Sequence, residues 1–291
     1  MTDGPVKRAQ LRVFRNLRRV GLVEAALSAR YSRRTERHVD ALPGVDGSCR
    51  DVLEVLKDEG LARSSAAALP FVSREGMTQL RSFAESLKDR AATTASSVHV
   101  PRHEIMERPD AFRIGLDARL LSLVENYLGV PVRYLGMDVK REMADAKENG
   151  IRLWHRDIED HRMLKFIVYL SDVDDGAGPF EWLSRRDTDA VVDALRLVWG
   201  DVLTTKELGA VVPAVRRQRA VGARDTVHFF DPARILHRAS PPTSRDRYSV
   251  TYSYATRRPY VEYPHVTDFN RKFVARWASL LGPAQRAALV E

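Results

Sequence analysis

The stretch LWHRDIEDHRMLKFIVYLSDV, residues 153–173, sets His155 and Asp157 two residues apart, just ahead of a run that reads as a buried strand. On an extended chain, residues i and i+2 point to the same face, so the imidazole and the carboxylate are aimed at one place. Together they suit a divalent metal that accepts both nitrogen and oxygen donors; they equally suit a plain hydrogen-bonded pair. A redox metal with open positions needs one more protein ligand. His161, His228, His237 and His265 are the later candidates. His228 sits inside DTVHFF, a strand pattern, whereas His237 follows FFDPARIL at the head of a short turn. His237 is preferred because Arg247, Ser249 and Thr251 follow at alternate positions of RYSVTYSY and so share one face. A guanidinium beside a hydroxyl grips a carboxylate through parallel hydrogen bonds. Arg245 lies on that face too, so either arginine can serve; spacing and the Ser249 neighbour favour Arg247.

The elements that must position these residues follow from periodicity. PVKRAQLRVFRNLRRVGLVEAALSAR (5–30) reads as a basic amphipathic helix, with Arg8, Arg12, Arg15 and Arg19 on one side and Val13, Leu17, Val20 and Leu27 on another. It is either a peripheral helix packed on the core or a docking element for an anionic membrane surface or acidic partner. Residues 31–48 read as a linker, giving a helical extension over 1–48 ahead of a main domain at 49–291. Helices are expected from Cys49 to a stop at Gly60, over 73–92 behind a Ser73 cap, and over 109–129 ended by Gly129 and Pro131. From PVRYLGMDVKREMA onward the texture is Val, Ile, Tyr, Phe and Thr broken by Gly, Pro and Asp, which is strand chemistry. A helical insert at about 184–212 and a closing helix at 267–290 complete the pattern. Helices, then strands, then a helix predict an α+β protein with an all-β centre.

Bulk properties narrow the function. The 291 residues are 44% hydrophobic and 30% charged, as in ordinary globular proteins. There is no run of eighteen apolar residues, no apolar signal region, and one cysteine, Cys49; a reducing, cytoplasmic setting is expected and a Cys-rich zinc module is excluded. The net charge of +8 invites a nucleic-acid partner, but residues 1–40 hold ten Arg/Lys against four Asp/Glu and account for +6 of it. The basicity is local, and no nucleic acid is expected.

His155 and Asp157, the GPF at 178–180, and FFDPARILHRASPPTSRDRYSVTYSY at 229–254 resemble the phytanoyl-CoA dioxygenase-like branch of the Fe(II)/2-oxoglutarate oxygenases over roughly residues 50–260. The resemblance implies a double-stranded β-helix, a jelly-roll or cupin-like barrel buttressed by N-terminal helices and a C-terminal helix. It implies iron ligands His155, Asp157 and His237, with Arg247, backed by Ser249, on the distal carboxylate of 2-oxoglutarate. Trp154, Lys165 and Tyr169 would line the pocket. The implied cofactor is Fe(II), with 2-oxoglutarate and O2 as co-substrates and ascorbate as an accessory reductant. The implied reaction is hydroxylation of a small molecule coupled to decarboxylation of 2-oxoglutarate to succinate. Asp157 favours hydroxylation over halogenation, because related halogenases lack this carboxylate. Where many relatives carry a Ser-His pair after the Gly-Pro turn, this chain has EWLSRRD, with Ser184 and no His. Arg185, Arg186, Asp187 and Lys206 of the insert are candidate substrate contacts.

Two other classes compete. A zinc hydrolase would use the same donors but leaves the Arg/Ser grip without a role, and no H-E-x-x-H helix is present. A metal-dead jelly-roll binding module would leave the intact ligand positions unexplained.

Overall fold

The computed structural model describes residues 13, 16–18, 20–92 and 96–290. Arg8, Arg12, Arg15 and Arg19 of the expected basic helix lie outside the described residues. Eleven strands are described: β1 (Leu61–Ser65), β2 (Ser97–His99), β3 (Val132–Glu142), β4 (Trp154–His155), β5 (Met163–Tyr169), β6 (Phe180–Trp182), β7 (Val202–Leu203), β8 (Gln218–Ala220), β9 (Thr226–Phe230), β10 (His237–Ala239) and β11 (Arg247–Thr256). They form two antiparallel sheets. The larger runs β1-β9-β5-β11-β3-β2 and the smaller β7-β4-β10-β6-β8. With the helices this is an α+β architecture.

Strand alternation sorts the large sheet into two chemistries. Phe166, Val168, Phe229, Val250, Tyr252 and Tyr254 join the main apolar core with the helices. Phe166 stacks on Tyr252 at 4.4 Å. The Tyr252 and Tyr254 hydroxyls donate to the carbonyls of Ala111 and Gly115, both at 2.8 Å, tying the sheet to the helical layer. The alternate residues, Lys165, Ile167, Phe230, Thr251 and Ser253, face a cavity shared with the smaller sheet.

The helices of this layer follow local rules with several departures from expectation. Gly47–Glu59 ends at Gly60, whose φ of 82° suits glycine. Arg74–Ser86 starts where the Ser73 hydroxyl accepts from the Gly76 N–H, and stops at Ser86 rather than continuing to 92. The expected 109–129 helix is two, Pro109–Ile114 and Ala118–Leu128. Asp117 caps the second, and Gly115 sits so close to Tyr134 that an added Cβ would lie 2.5 Å from its ring. The closing helix is likewise split, into Pro264–Trp277 and Pro283–Val290, because Pro283 cannot continue a preceding helix. The insert consists of Arg185–Leu195, the short β7 and Thr205–Gly209.

Residues 31–38, read as linker, belong to a helix, Gly21–His38. Tyr31 is its buried anchor; its hydroxyl donates to the Leu128 carbonyl and its ring lies 4.7 Å from His161. His38 Nε2 meets Glu125 at 2.6 Å. These contacts are with the helix Ala118–Leu128 and with His161. Among the described residues no helix is long and apolar enough to cross a membrane.

The Gly-Pro turn has a steric role. Gly178 has φ 67°, and a Cβ there would fall 2.3 Å from the Ser240 carbonyl and 2.5 Å from the Pro242 nitrogen. It therefore presses directly on the loop joining β10 to β11. Gly178→Ala should lower unfolding stability by about 2 kcal/mol or more in urea titrations. Gly209→Ala, where the new Cβ meets nothing within 4 Å, should change it little.

Candidate metal centre

β10 pairs with β4 so that His237 lies directly across from His155. The two rings are 4.5 Å apart and tilted by 50°. Asp157, two residues past His155, is fixed by its own N–H, which donates to the Pro232 carbonyl at 2.8 Å. Three side chains from two chain segments thus converge, with one ligand atom from each all lying within 4.8 Å of one another. Among the described residues this is the only such cluster of His, Cys, Asp and Glu.

The hydrogen bonds around the imidazoles select their tautomers. His155 Nδ1 lies 2.8 Å from the Leu153 carbonyl and His237 Nδ1 lies 3.0 Å from the Ile235 carbonyl. A carbonyl only accepts, so each Nδ1 carries a proton, and in the neutral ring this leaves Nε2 as the atom with a lone pair to offer. Both Nε2 atoms face the same oxygen of Asp157, at 3.5 and 3.7 Å from Oδ1. Burial, and then the His155 neighbour, push His237 down to about 3, so it stays neutral at ordinary pH. Burial alone would raise the Asp157 carboxyl, but the Lys165 ammonium, the foremost opposing influence, holds it well below the usual carboxylate range. A neutral His237 and an ionised Asp157 are protonation states that ligation requires, and the donor set fits a divalent first-row ion.

A cavity of about 540 Å³ opens onto these residues. The segments 96–99 and 149–152, Asp138, Lys140 and Glu142 of β3, and Phe180 and Phe230 also line it. Alternation in β3 could have placed Asp138, Lys140 and Glu142 on one face; β2 and the 149–152 turn left no pattern to read. Arg152, fully buried, pairs with Glu142 at 3.1 Å and Asp145 at 2.5 Å, and Lys140 meets Glu142 at 2.9 Å.

Arg247 is 4% exposed, near the start of β11 and opposite Glu142 of β3. Among the described residues it makes no direct ion pair, although Glu142 across the strands favours its charge; its Nη1 is buried without a hydrogen bond, and neither Arg247 nor Ser249 is part of the cavity wall. Ser249, also buried, lies across from Lys140 and Tyr169. Arg245 is different: half exposed, it pairs with Asp174 at 2.5 Å. Lys165 reaches the centre itself, its Nζ bonded to Asp157 Oδ2. Tyr169 does not line the cavity. It is a strut, donating to the Ala220 carbonyl at 2.6 Å and accepting from the Phe180 N–H at 3.3 Å.

Trp154 departs from expectation. It precedes His155, so alternation turns it away from the cavity, into a cluster with Leu183, Val191, Leu203 and Leu236. The insert also departs. None of residues 184–212 lines the cavity: Arg185 bonds the carbonyls of Leu56 and Lys57, Asp187 pairs with Arg216, and Ser184 caps the helix that it precedes. His228 is buried beside the Tyr169 ring and outside the cluster, with burial holding it down to about 4. His161 packs on Tyr31, and His265 on Tyr263.

No protein-family model matches the chain, and no curated protein does. Among solved structures it is similar to the non-heme alpha ketoglutarate dependent carbocyclase SnoK from nogalamycin biosynthesis. That match has 17% identity and a TM-score of 0.53, covering 77% of this chain and 94% of SnoK. It is also similar to EctD from S. alaskensis in its apoform, at 18% identity and a TM-score of 0.50, covering 76% of this chain and 81% of EctD. The chain shares their fold.

His155→Ala, Asp157→Ala and His237→Ala should each abolish stoichiometric Fe(II) uptake while leaving far-ultraviolet circular dichroism unchanged, because an open site adds little to folding. Retained uptake by the His237→Ala protein would remove His237 from the ligand set.

Proposed function

We propose that this chain is an Fe(II)- and 2-oxoglutarate-dependent oxygenase of the phytanoyl-CoA dioxygenase-like kind, with its two sheets forming a double-stranded β-helix, and that it hydroxylates a small molecule. The observation that carries this reading is a pairing of features. A two-histidine, one-carboxylate cluster opens onto the face of β11 that carries Thr251 and Ser253 and, further along the same strand face, the buried Arg247 guanidinium, which makes no direct ion pair among the described residues and leaves Nη1 without a hydrogen bond. A buried unpaired cation is costly, and a bound carboxylate is its natural complement. The shared fold with SnoK, whose name records alpha ketoglutarate dependence, agrees with it.

In this reading His155, Asp157 and His237 hold the iron on one face and leave the other face open. Iron, when bound with the co-substrate, supplies the oxidation: O2 converts 2-oxoglutarate to succinate and CO2, and the second oxygen atom goes to the substrate. The protein contributes placement. Arg247 takes the far carboxylate of 2-oxoglutarate, with Ser249 adding a hydroxyl donor from the same strand face. Phe180 and Phe230, packed 4.3 Å apart beside His237, exclude water from one side of the centre. The segments 96–99 and 149–152 form the substrate side, in place of the insert. A zinc hydrolase would have no use for the Arg247 cation.

Lysine cannot reproduce the arginine fork, so Arg247→Lys should raise the apparent constant for 2-oxoglutarate roughly ten- to a hundredfold. Fe(II) affinity without co-substrate should barely change. Arg245→Lys, altering an outward pair, should leave both near wild type. The opposite order of effects would make Arg245 the anchor, and no effect from either would exclude 2-oxoglutarate from this pocket.

A further inference from the structure

The centre holds one charged group more than a two-histidine, one-carboxylate site requires. Lys165 extends from β5 and bonds to Oδ2 of Asp157, while Oδ1 faces both histidine Nε2 atoms. The two oxygens of one carboxylate therefore have separate partners. The ammonium is mostly shielded, with its side chain 21% exposed.

We propose that Lys165 is a positioning residue that confines Asp157 to one-oxygen ligation and weakens the site's hold on a divalent ion until an anionic co-substrate joins it. This rests on reading the cluster as a metal centre. A carboxylate free at both oxygens can chelate an ion and close one of the open positions. With Oδ2 engaged by an ammonium, only Oδ1 is offered. The charge count points the same way. Within the ligand set the Lys165 ammonium cancels the Asp157 carboxylate, so a divalent ion meets no net negative charge among its own ligands. A dianionic 2-oxo acid restores the balance. Without the ammonium, the protein itself would offer a net negative charge to the ion. In a partly dry cavity such differences are weakly screened. Lys165 thus differs from Arg247, which stands away from the ligands and grips the co-substrate alone.

The test is Co(II) binding by the full-length protein, followed by visible d–d absorption with and without 2-oxoglutarate. Lys165→Met should bind Co(II) alone about tenfold more tightly than wild type, or better, and 2-oxoglutarate should strengthen that binding less than in wild type. Lys165→Arg, which keeps the charge, should behave like wild type. Unchanged or weaker Co(II) binding by Lys165→Met overturns the proposal. Failure of wild type to take up Co(II) overturns the metal reading and the proposal with it. Should Lys165→Met not fold, a crystal structure of Ni(II)-loaded wild type decides. One Asp157 oxygen on the metal with Lys165 on the other supports the proposal; both oxygens on the metal overturn it.

Discussion

Antiparallel pairing of two very short strands, β4 and β10, sets His155 opposite His237, and the site depends on that register. A slip of one residue would exchange His155 for Trp154 and turn a ring nitrogen into a buried indole. Side chains around the pair hold the register. Trp154 is embedded under the insert with Leu203 and Leu236, so the residue beside the ligand is an apolar anchor. Arg238, beside the other ligand, pairs with Glu181 at 2.6 Å and Glu148 at 2.8 Å. The insert thereby acts from behind the site, fixing the small sheet in place. The Gly178 turn does similar work for the loop between His237 and Arg247, where a side chain would collide with backbone.

The large sheet divides its labour by face. One side is apolar and aromatic and carries the core. The other holds charges that, among the described residues, are largely matched: Lys165 with Asp157, and Lys140 and Arg152 with Glu142. Paired ions in a cavity cost little once their desolvation is offset by partners. Arg247 breaks the pattern, with no direct ion pair among the described residues and Nη1 buried without a hydrogen bond; the proposed co-substrate carboxylate would complete it. Arg245 shows the contrast, since its charge is already matched by Asp174 at the surface.

Much of the centre was legible in the sequence because strand chemistry is local. The i, i+2 rule relates His155 to Asp157 and Arg247 to Ser249, and the long strands β3, β5, β9 and β11 stand out by composition. The small sheet was not legible. Its strands are two or three residues long, too short for any alternation to register, and their pairing is set by tertiary context. For the same reason the orientation of Trp154 was misread, and the cavity wall from 96–99 and 149–152 was missed. Helix ends were missed where a local cap outranks periodicity: Asp117 starts a new helix after Pro109–Ile114, and Pro283 starts the last one. The end of the Gly21–His38 helix, residues 31–38, was read as linker because Tyr31 is the helix's only buried residue and charge fills the rest.

The central claim is that His155, Asp157 and His237 hold an iron that is chelated by 2-oxoglutarate, which Arg247 anchors. Visible absorption of the full-length protein with Fe(II) and 2-oxoglutarate under anaerobic conditions tests this most directly. The account predicts a weak charge-transfer band that needs both additions and disappears in Asp157→Ala. Absence of the band in wild type at saturating Fe(II) and 2-oxoglutarate, or its persistence in Asp157→Ala, would contradict it.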